Sequence, residues 1–390
     1  MNEDFDVVVV GGGPAGLSSA RSAALGGVSV LLVERKKEIG AQIRCGEFIP
    51  SAEQMKPLMP EAKSIWDFYE SRFLKDAVSN MIKRIRLRSP KNRPYEFSFD
   101  GLVLHRDVFE RNIAVEAEER GTVIRTATTV EGIKKDVQAV KIALRGRDSS
   151  DFVKARLVVC ADGFPSKTAE QAGLSVKPEA EDVALCVEHR VSNAEVEEDL
   201  VELFFGRKVA PGGYAWIIPK GDGAANVGLG VRTPFVEQGR TAVDYLDDFL
   251  HTHPVSSPHF VNALLGPLIG KILCVSGLAS TVVGDRVLLA GDAAGTLIPV
   301  NGSGIPTALV SGHLAGEVAS KFLKGDCELA VYAAALKREV GRIVGRGRTY
   351  LTVGDFFARW DGLFERLLWI IGSKNVGVVV KCEPMLPLFR

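Results

Sequence analysis

The residues able to do chemistry fall into a few short stretches. Gly11, Gly13 and Gly16 make a G-x-G-x-x-G spacing directly after the apolar run Val7 to Val10. Gly11 lets the chain turn sharply, Gly13 lets backbone N–H groups approach a pyrophosphate, and Gly16 lets the next helix pack closely on the sheet. Glu34 follows about twenty residues on, where a carboxylate can bond a ribose hydroxyl. The spacing points to a dinucleotide without deciding between NAD and FAD. Cys45 is the best candidate for a reactive side chain. It lies in the polar loop Glu38 to Glu47, between Arg44 and Gly46, a setting that favours thiolate. Proton donation, gating of a cofactor and plain packing are all open to such a thiol. The other five cysteines (Cys160, Cys186, Cys274, Cys327 and Cys382) lie mostly in apolar runs with no C-x-x-C pair, as expected in a reduced compartment.

Tyr214 and Trp216 alternate along Tyr214-Ala215-Trp216-Ile217-Ile218-Pro219-Lys220, so a strand would turn both rings to one face. Two flat apolar surfaces can line a pocket, although ordinary core aromatics follow the same pattern. Lys220 ends that run and is a candidate for contact with a polar substrate group. Arg84, Arg86 and Arg88 put three cations on one strand face, suited either to a phosphate or to solvent. His251 and His253, two apart on a predicted helix, point to different faces, so no metal site is expected.

These residues need elements to hold them. Val7 to Val10 reads as a parallel strand buried on both faces, Pro14 suits the first turn of a helix, and Val28 to Val33 reads as the second strand. The helix N-terminus then offers free donors and partial positive charge to a phosphate. Ala52 to Leu74 predicts amphipathic surface helices, and Met81 to Arg88 with Tyr95 to Phe99 predicts an antiparallel pair. Leu104 to Arg120 predicts a helix capped by Asp107, and Ala155 to Ala161 a buried strand that breaks at Asp162-Gly163. Antiparallel strands dominate from Ala184 to Val231, with Gly221-Asp222-Gly223 as one turn. Val287 to Ala290 is a last buried strand, and a glycine-rich loop leads to a long helix from Ile305 to Phe322. The remainder to Gly372 reads as helical.

Strands of the nucleotide-binding type at both ends of an antiparallel insertion predict an α/β fold. Its parts are a discontinuous Rossmann-like cofactor domain (1–80, 101–175 and 275–325), an inserted antiparallel β-sheet substrate domain (81–100 and 176–274) and a C-terminal helical region (326–390). The binding site is expected where the two domains meet. Lys plus Arg and Asp plus Glu each number 48, which argues against a nucleic-acid binder working by bulk charge. Asn2, Glu3 and Asp4 run straight into the first strand, and no apolar stretch reaches the roughly 18 residues that span a bilayer. A cytoplasmic location is expected. Leu363 to Val380, with Phe364, Leu367, Leu368, Trp369, Ile370 and Ile371, suits an apolar cap over a lipid tunnel, peripheral contact with a membrane surface, or a helix packed on the core.

Taken together, the opening glycines, Cys160-Ala161-Asp162-Gly163-Phe164-Pro165-Ser166 and Leu289-Ala290-Gly291-Asp292-Ala293-Ala294-Gly295 resemble the three FAD fingerprints of the p-hydroxybenzoate hydroxylase class. The resemblance implies FAD on a glutathione reductase-type nucleotide fold. It puts Ala161, Asp162 and Gly163 near the pyrophosphate, Asp292 with Gly291 at the ribityl chain, and Arg106 on the phosphates. The Gly302 to Gly304 turn would set a helix N-terminus at Ile305 beside the flavin ring, and Ala15, Arg35, Arg44, Cys45, Gly46, Pro299 and Ser303 join the cofactor contacts. Within that class, Arg44-Cys45-Gly46-Glu47, Tyr214 to Lys220 and Pro299-Val300-Asn301-Gly302-Ser303-Gly304-Ile305 are similar to geranylgeranyl reductases, especially the archaeal-type enzymes that saturate lipid isoprenoid chains. Ile218 stands where that family usually has Phe, and Asn301 and Ser303 stand where Gly-rich variants are common, which bears on substrate preference.

The family implies that reduced flavin saturates C=C bonds of geranylgeranyl chains on isoprenoid diphosphates or membrane-lipid precursors. Cys45, Tyr214 and Trp216 would form the catalytic set, and Tyr214, Trp216, Pro219 and Lys220 would contact the polyprenyl substrate. No second strand-glycine-helix fingerprint follows the first, so electrons are expected from an external donor: ferredoxin, NAD(P)H docking transiently, or another small reductant. Aromatic hydroxylation, halogenation and electron transfer to a quinone are the alternatives on the same fold.

Overall fold

The computed structural model describes residues 3–385 apart from 61, 63–64, 67–68, 70–73, 75, 136–137, 148–149 and 175–176. Its first sheet has eight strands: β1 (Glu3–Val10), β2 (Val30–Val33), β6 (Val123–Arg125), β7 (Thr129–Lys135), β8 (Val140–Arg145), β9 (Ser150–Cys160), β16 (Val283–Gly284) and β17 (Val287–Leu289). The spatial order β16-β17-β9-β1-β2-β6 joins both ends of the first 325 residues in one layer. Val7, Val8 and Val9 are fully buried, because a parallel strand in mid-sheet is covered on both faces. Register then fixes the site. Val10 pairs with Val33 and with Cys160, and Leu289 pairs with Cys160, so these parallel strands end level. The loops leaving them carry Gly11 to Gly13, Glu34, Ala161 to Gly163, and Gly291-Asp292. Ligands bind outside the carboxyl ends of such strands.

Helix α1 (Pro14–Leu25) packs along the late helix α4 (Ile305–Lys324) through small residues. A Cβ on Gly312 would stand 2.1 Å from the Ala15 carbonyl oxygen, and one on Gly316 2.2 Å from that of Ser19. Ser18 and Ser22 donate their hydroxyls to the Leu309 and His313 carbonyls at 2.8 and 2.9 Å. The two backbones therefore lie closer than larger side chains would allow, and the first and last glycine motifs face one space.

The second sheet has nine strands: β3 (Phe48–Pro50), β4 (Val78–Arg88), β5 (Pro94–Leu104), β10 (Val183–Ser192), β11 (Leu200–Phe204), β12 (Tyr214–Gly221), β13 (Ala224–Arg232), β14 (Leu264–Leu265) and β15 (Ile269–Cys274). It is antiparallel except where β11 runs parallel to β4. On one face Ala215, Ile217, Val227 and Leu229 pack against Tyr245, Leu246 and Phe249 of helix α3 (Ala242–His251). Thr241 caps that helix reciprocally with Asp244. The other face looks toward the first sheet. Helices α5 (Arg342–Ala358) and α6 (Asp361–Val380) close over it, with Leu368 and Val376 packed on Leu87 and Tyr95. Gly372, at φ 66° and ψ 171°, breaks the axis of α6.

Several elements differ from expectation. Helix α2 (Arg106–Glu119) has His105 at its cap, while Asp107 sits in the first turn and pairs with Arg111. The strands around residues 81 and 95 are longer, because each continues to pair beyond its alternating run. Among the described residues of 52–74, Ile65, Trp66 and Tyr69 are buried, so this stretch contributes to the core; the rest of that prediction lies outside the described residues. Arg84, Arg86 and Arg88 do share a face, but Glu96, Glu197, Asp199 and Glu202 occupy their guanidinium groups. A carboxylate ladder, not a phosphate site, is what they form.

Candidate active site

A cavity of about 1410 Å³ lies between the carboxyl ends of the first sheet and the inward face of the second. That exceeds the roughly 300–1,000 Å³ of a pocket for one small ligand, leaving room for a dinucleotide and a second molecule. Of the expected cofactor contacts, all except Gly16 line it. Gly16 is buried at the helix–strand contact, where a Cβ would stand 1.8 Å from the Gly11 carbonyl oxygen. Gly11 itself has φ +107° and lies against the Ala161 carbonyl, a conformation and approach suited to glycine.

The nucleotide end is built for an anion with a polar sugar. Positions where Cβ atoms of Gly13 and Gly163 would sit have nothing within 4 Å. Glu34, 7% exposed, accepts the N–H groups of Gly12 at 2.6 Å and Lys36 at 2.8 Å, which holds its carboxylate at the cavity wall. Burial pushes the Lys36 ammonium down, with Glu110 and Glu34 opposing. Arg106, also on the wall, is bonded to Glu110 at 2.8 Å; burial opposes its charge, and Glu110 with Cys45 more than offsets that. At the far end of the cradle the loop before α4 turns at Gly302 (φ +68°), and Ser303 Oγ is buried with no hydrogen-bond partner among the described residues. Open space over two glycines, with the Glu34 carboxylate and Arg106 on the wall beside it, fits FAD. Residues Gly11, Gly13, Glu34, Arg106, Asp162, Asp292 and Ser303 would hold it.

The second sheet supplies the other wall. Residues in one face's phase line the cavity: Ile85, Leu87, Leu203, Cys186, Glu188, Tyr214, Trp216 and Ile218. Tyr214 and Trp216 sit together there, ring centroids 6.1 Å apart, and Phe205 and Phe364 extend the aromatic row toward α6. Their polar atoms are satisfied elsewhere. Tyr214 donates its hydroxyl to the Asn301 carbonyl at 2.5 Å, and Trp216 Nε1 donates to Asn226 Oδ1 at 2.8 Å. The ring faces are left as apolar surface. Pro219 is one residue out of phase, on the side of Ala215 and Ile217. Lys220 is buried, donating to Glu47 and to the Leu104 carbonyl, both at 2.7 Å. Neither lines the cavity, so the substrate contacts expected of this pair are not placed there: strand phase removes the first and an internal ion pair the second.

Glu47 is the residue whose weight the sequence hid. It is fully buried, takes Lys220 and Arg190 on one oxygen, and accepts the Arg106 N–H on the other at 3.1 Å. Its φ of 60° turns the loop so that Cys45 Sγ accepts the Glu47 N–H at 3.2 Å. Asn226, on β13, bonds the Cys45 carbonyl at 3.3 Å as well as Trp216, which couples the thiol loop to the aromatic wall. Glu188 was missed too. On β10 it is 4% exposed, and burial lifts its carboxyl to about 7. The only advance signal was Gly228-Leu229-Gly230, spacing that clears room opposite aromatic positions.

Fold and cradle define an FAD-dependent oxidoreductase, and residues 6–197 match the sequence profile of FAD dependent oxidoreductases. Residues 182–266 match that of the geranylgeranyl reductase catalytic domain. The chain is 35% identical to the digeranylgeranylglycerophospholipid reductase of Methanocaldococcus jannaschii, across 83% of this chain and 79% of that one. It is 34% identical to the enzyme of the same name from Methanococcus vannielii, across 100% and 98%. The crystal structure of a geranylgeranyl bacteriochlorophyll reductase-like protein from Thermoplasma acidophilum superposes with a TM-score of 0.82 at 28% identity, covering 100% of this chain and 94% of that one. The chain belongs to the geranylgeranyl reductase family.

Proposed function

We propose that this enzyme saturates C=C bonds of geranylgeranyl chains carried by membrane-lipid precursors or isoprenoid diphosphates. The observation that carries the reading is one continuous cavity, with a dinucleotide cradle at one side and an aromatic and aliphatic wall at the other. Bound reduced FAD supplies two electrons with one hydrogen to the alkene, and an external donor must restore them. The protein supplies the rest. Tyr214, Trp216 and Ile218 give a methyl-branched apolar chain a surface that makes no competing hydrogen bonds, and the Phe205–Phe364 row continues it beneath α6. Leu367, Leu368 and Ile371 cover the chain from the other side and exclude water. Cys45, held by Asn226 and beside Arg106, stands where cradle and aromatic wall meet.

The substrate reaches this cavity from a membrane surface. Among the described residues no helix is long and apolar enough to cross a membrane. Yet Phe356, Trp369 and Ile370 on the two helices that roof the cavity, and Trp360 between those helices, are 57–71% exposed, and the exposed cations Arg359, Arg366 and Lys374 lie among them. Aromatic and aliphatic side chains with interspersed cations suit the headgroup region of an anionic bilayer.

The test is anaerobic. The FAD-loaded enzyme, reduced with dithionite, is mixed with a geranylgeranylated glycerophospholipid or geranylgeranyl diphosphate, and mass spectrometry looks for two added hydrogens per double bond. Trp216→Ala is expected to lower kcat/KM roughly thirtyfold, the equivalent of about 2 kcal/mol of lost apolar contact. Unchanged lipid, with hydroxylation of an aromatic compound in air, would replace the reductase reading by a monooxygenase.

A further inference from the structure

Saturating a C=C bond needs one more proton than the cofactor delivers with its electrons, and a cavity that excludes water must draw it from the protein. Glu188 is positioned for this. Strand pairing sets it level with Gly228, and Gly228 level with Trp216. Because glycine leaves the middle position empty, Glu188 Cβ and Trp216 Cζ2 close over it, each 2.6 Å from where a Cβ on Gly228 would lie. The carboxyl is thus beside the indole on the cavity wall.

Every neighbouring element has a group near it. The Cys45 N–H and the Asn226 side chain face the carboxyl as hydrogen-bond donors, Lys271 of β15 is the near cation, and Glu47 the near anion. None makes an ion pair with it. Lys271 Nζ is 3.2 Å from Asp292, and Lys220 and Arg190 are taken by Glu47. Burial thus prevails over the donors, and the carboxyl, lifted to about 7, carries a proton near neutral pH. Cys45 Sγ, in contrast, already accepts an N–H and faces the Arg106 guanidinium.

We infer, on the reductase reading above, that Glu188 is a catalytic residue that gives the alkene its proton. The Glu188 Oε–H bond breaks as a C–H bond forms on one alkene carbon, while its neighbour receives the hydrogen and electron pair from the cofactor. The carboxylate left behind is held by the Cys45 N–H and the Asn226 amide and regains a proton from solvent. The external reductant restores the two electrons.

Two measurements on the FAD-loaded enzyme test this. Infrared difference spectra between about pH 6 and about pH 9 should show a protonated-carboxyl band that titrates near neutrality and is missing from Glu188→Gln. In single turnovers with geranylgeranylated glycerophospholipid, Glu188→Gln should reduce the lipid about a hundredfold more slowly or worse, at unchanged FAD content. Glu188→Asp, if the amide variant does not load FAD, should be slowed with its pH midpoint moved. Full rate in Glu188→Gln, or a carboxyl titrating in the ordinary carboxylate range, would overturn the inference. A wild-type enzyme that reduces no prenyl lipid sinks the reductase reading instead, and the infrared titration, which needs no substrate, separates the two failures.

Discussion

Gly13 and Gly16 are three residues apart in one motif, yet they do different work. A Cβ on Gly13 would meet nothing within 4 Å, whereas one on Gly16 would collide with the Gly11 carbonyl. Gly13→Ala should therefore leave the apoprotein's melting temperature unchanged while lowering FAD occupancy after purification. Gly16→Ala should destabilise the apoprotein itself by about 2 kcal/mol or more, because backbone must move. Equal melting temperatures for the two apoproteins would contradict this division. Glu188 makes a second prediction. The unfolded chain releases its proton near 4.5, the folded chain near 7. The folded state holds that extra proton between these values, so stability is full below about pH 4.5 and falls as pH rises through 7, by on the order of 3 kcal/mol. Denaturant melts of wild type and Glu188→Gln at low and high pH should show that the variant lacks this decline.

The elements are tied by a few buried charges. Glu47 draws together the thiol loop, β10, β12 and the start of α2 through Arg190, Lys220 and the Arg106 N–H. Removing one partner of such a pair leaves charge in a low-dielectric interior, which costs more than replacing both. Lys220→Met should cost about 3 kcal/mol, and the double variant Glu47→Gln/Lys220→Met should recover part of it. A single variant as stable as wild type would show that Arg190 satisfies Glu47 alone. A second tie links β13 to α5: Arg232 donates to both carboxylate oxygens of Asp355 and to the Gly212 and Glu181 carbonyls. It holds the roof of the cavity to its floor.

For the molecule as a whole, formal neutrality conceals an uneven surface. Charge is balanced at 48 and 48, but aromatic side chains and cations gather on the outside of α5 and α6. Trp369→Glu/Ile370→Glu should abolish sedimentation with anionic vesicles while leaving FAD content and thermal stability as in wild type, since neither side chain is buried. Reduction of detergent-dispersed substrate should persist in that variant and reduction of vesicle-borne substrate should fall. Vesicle binding that survives the double variant, or a wild type that does not sediment with vesicles, would overturn the proposed membrane contact of this face.

Local pattern determined a good deal. The Val7 to Val10 run, the three glycines and Glu34 define a strand, turn, helix and acid whose meaning is carried within about thirty residues. Period-two alternation put Tyr214 and Trp216 on one face, where the structure has them. What pattern cannot carry is which groups become partners across the fold. Arg84, Arg86 and Arg88 read as free cations until β11 and the 197–199 turn bring carboxylates to them. Lys220 reads as a substrate contact until Glu47, 173 residues away along the chain, takes its ammonium. Glu188 has no local mark at all, because its burial, its donors and its place beside Trp216 come from β12, β13, β15 and the Cys45 loop together. Secondary structure follows from short-range sterics and periodic burial, legible one segment at a time. The protonation and pairing of buried groups follow from desolvation and distance, which exist only once the chain has closed on itself.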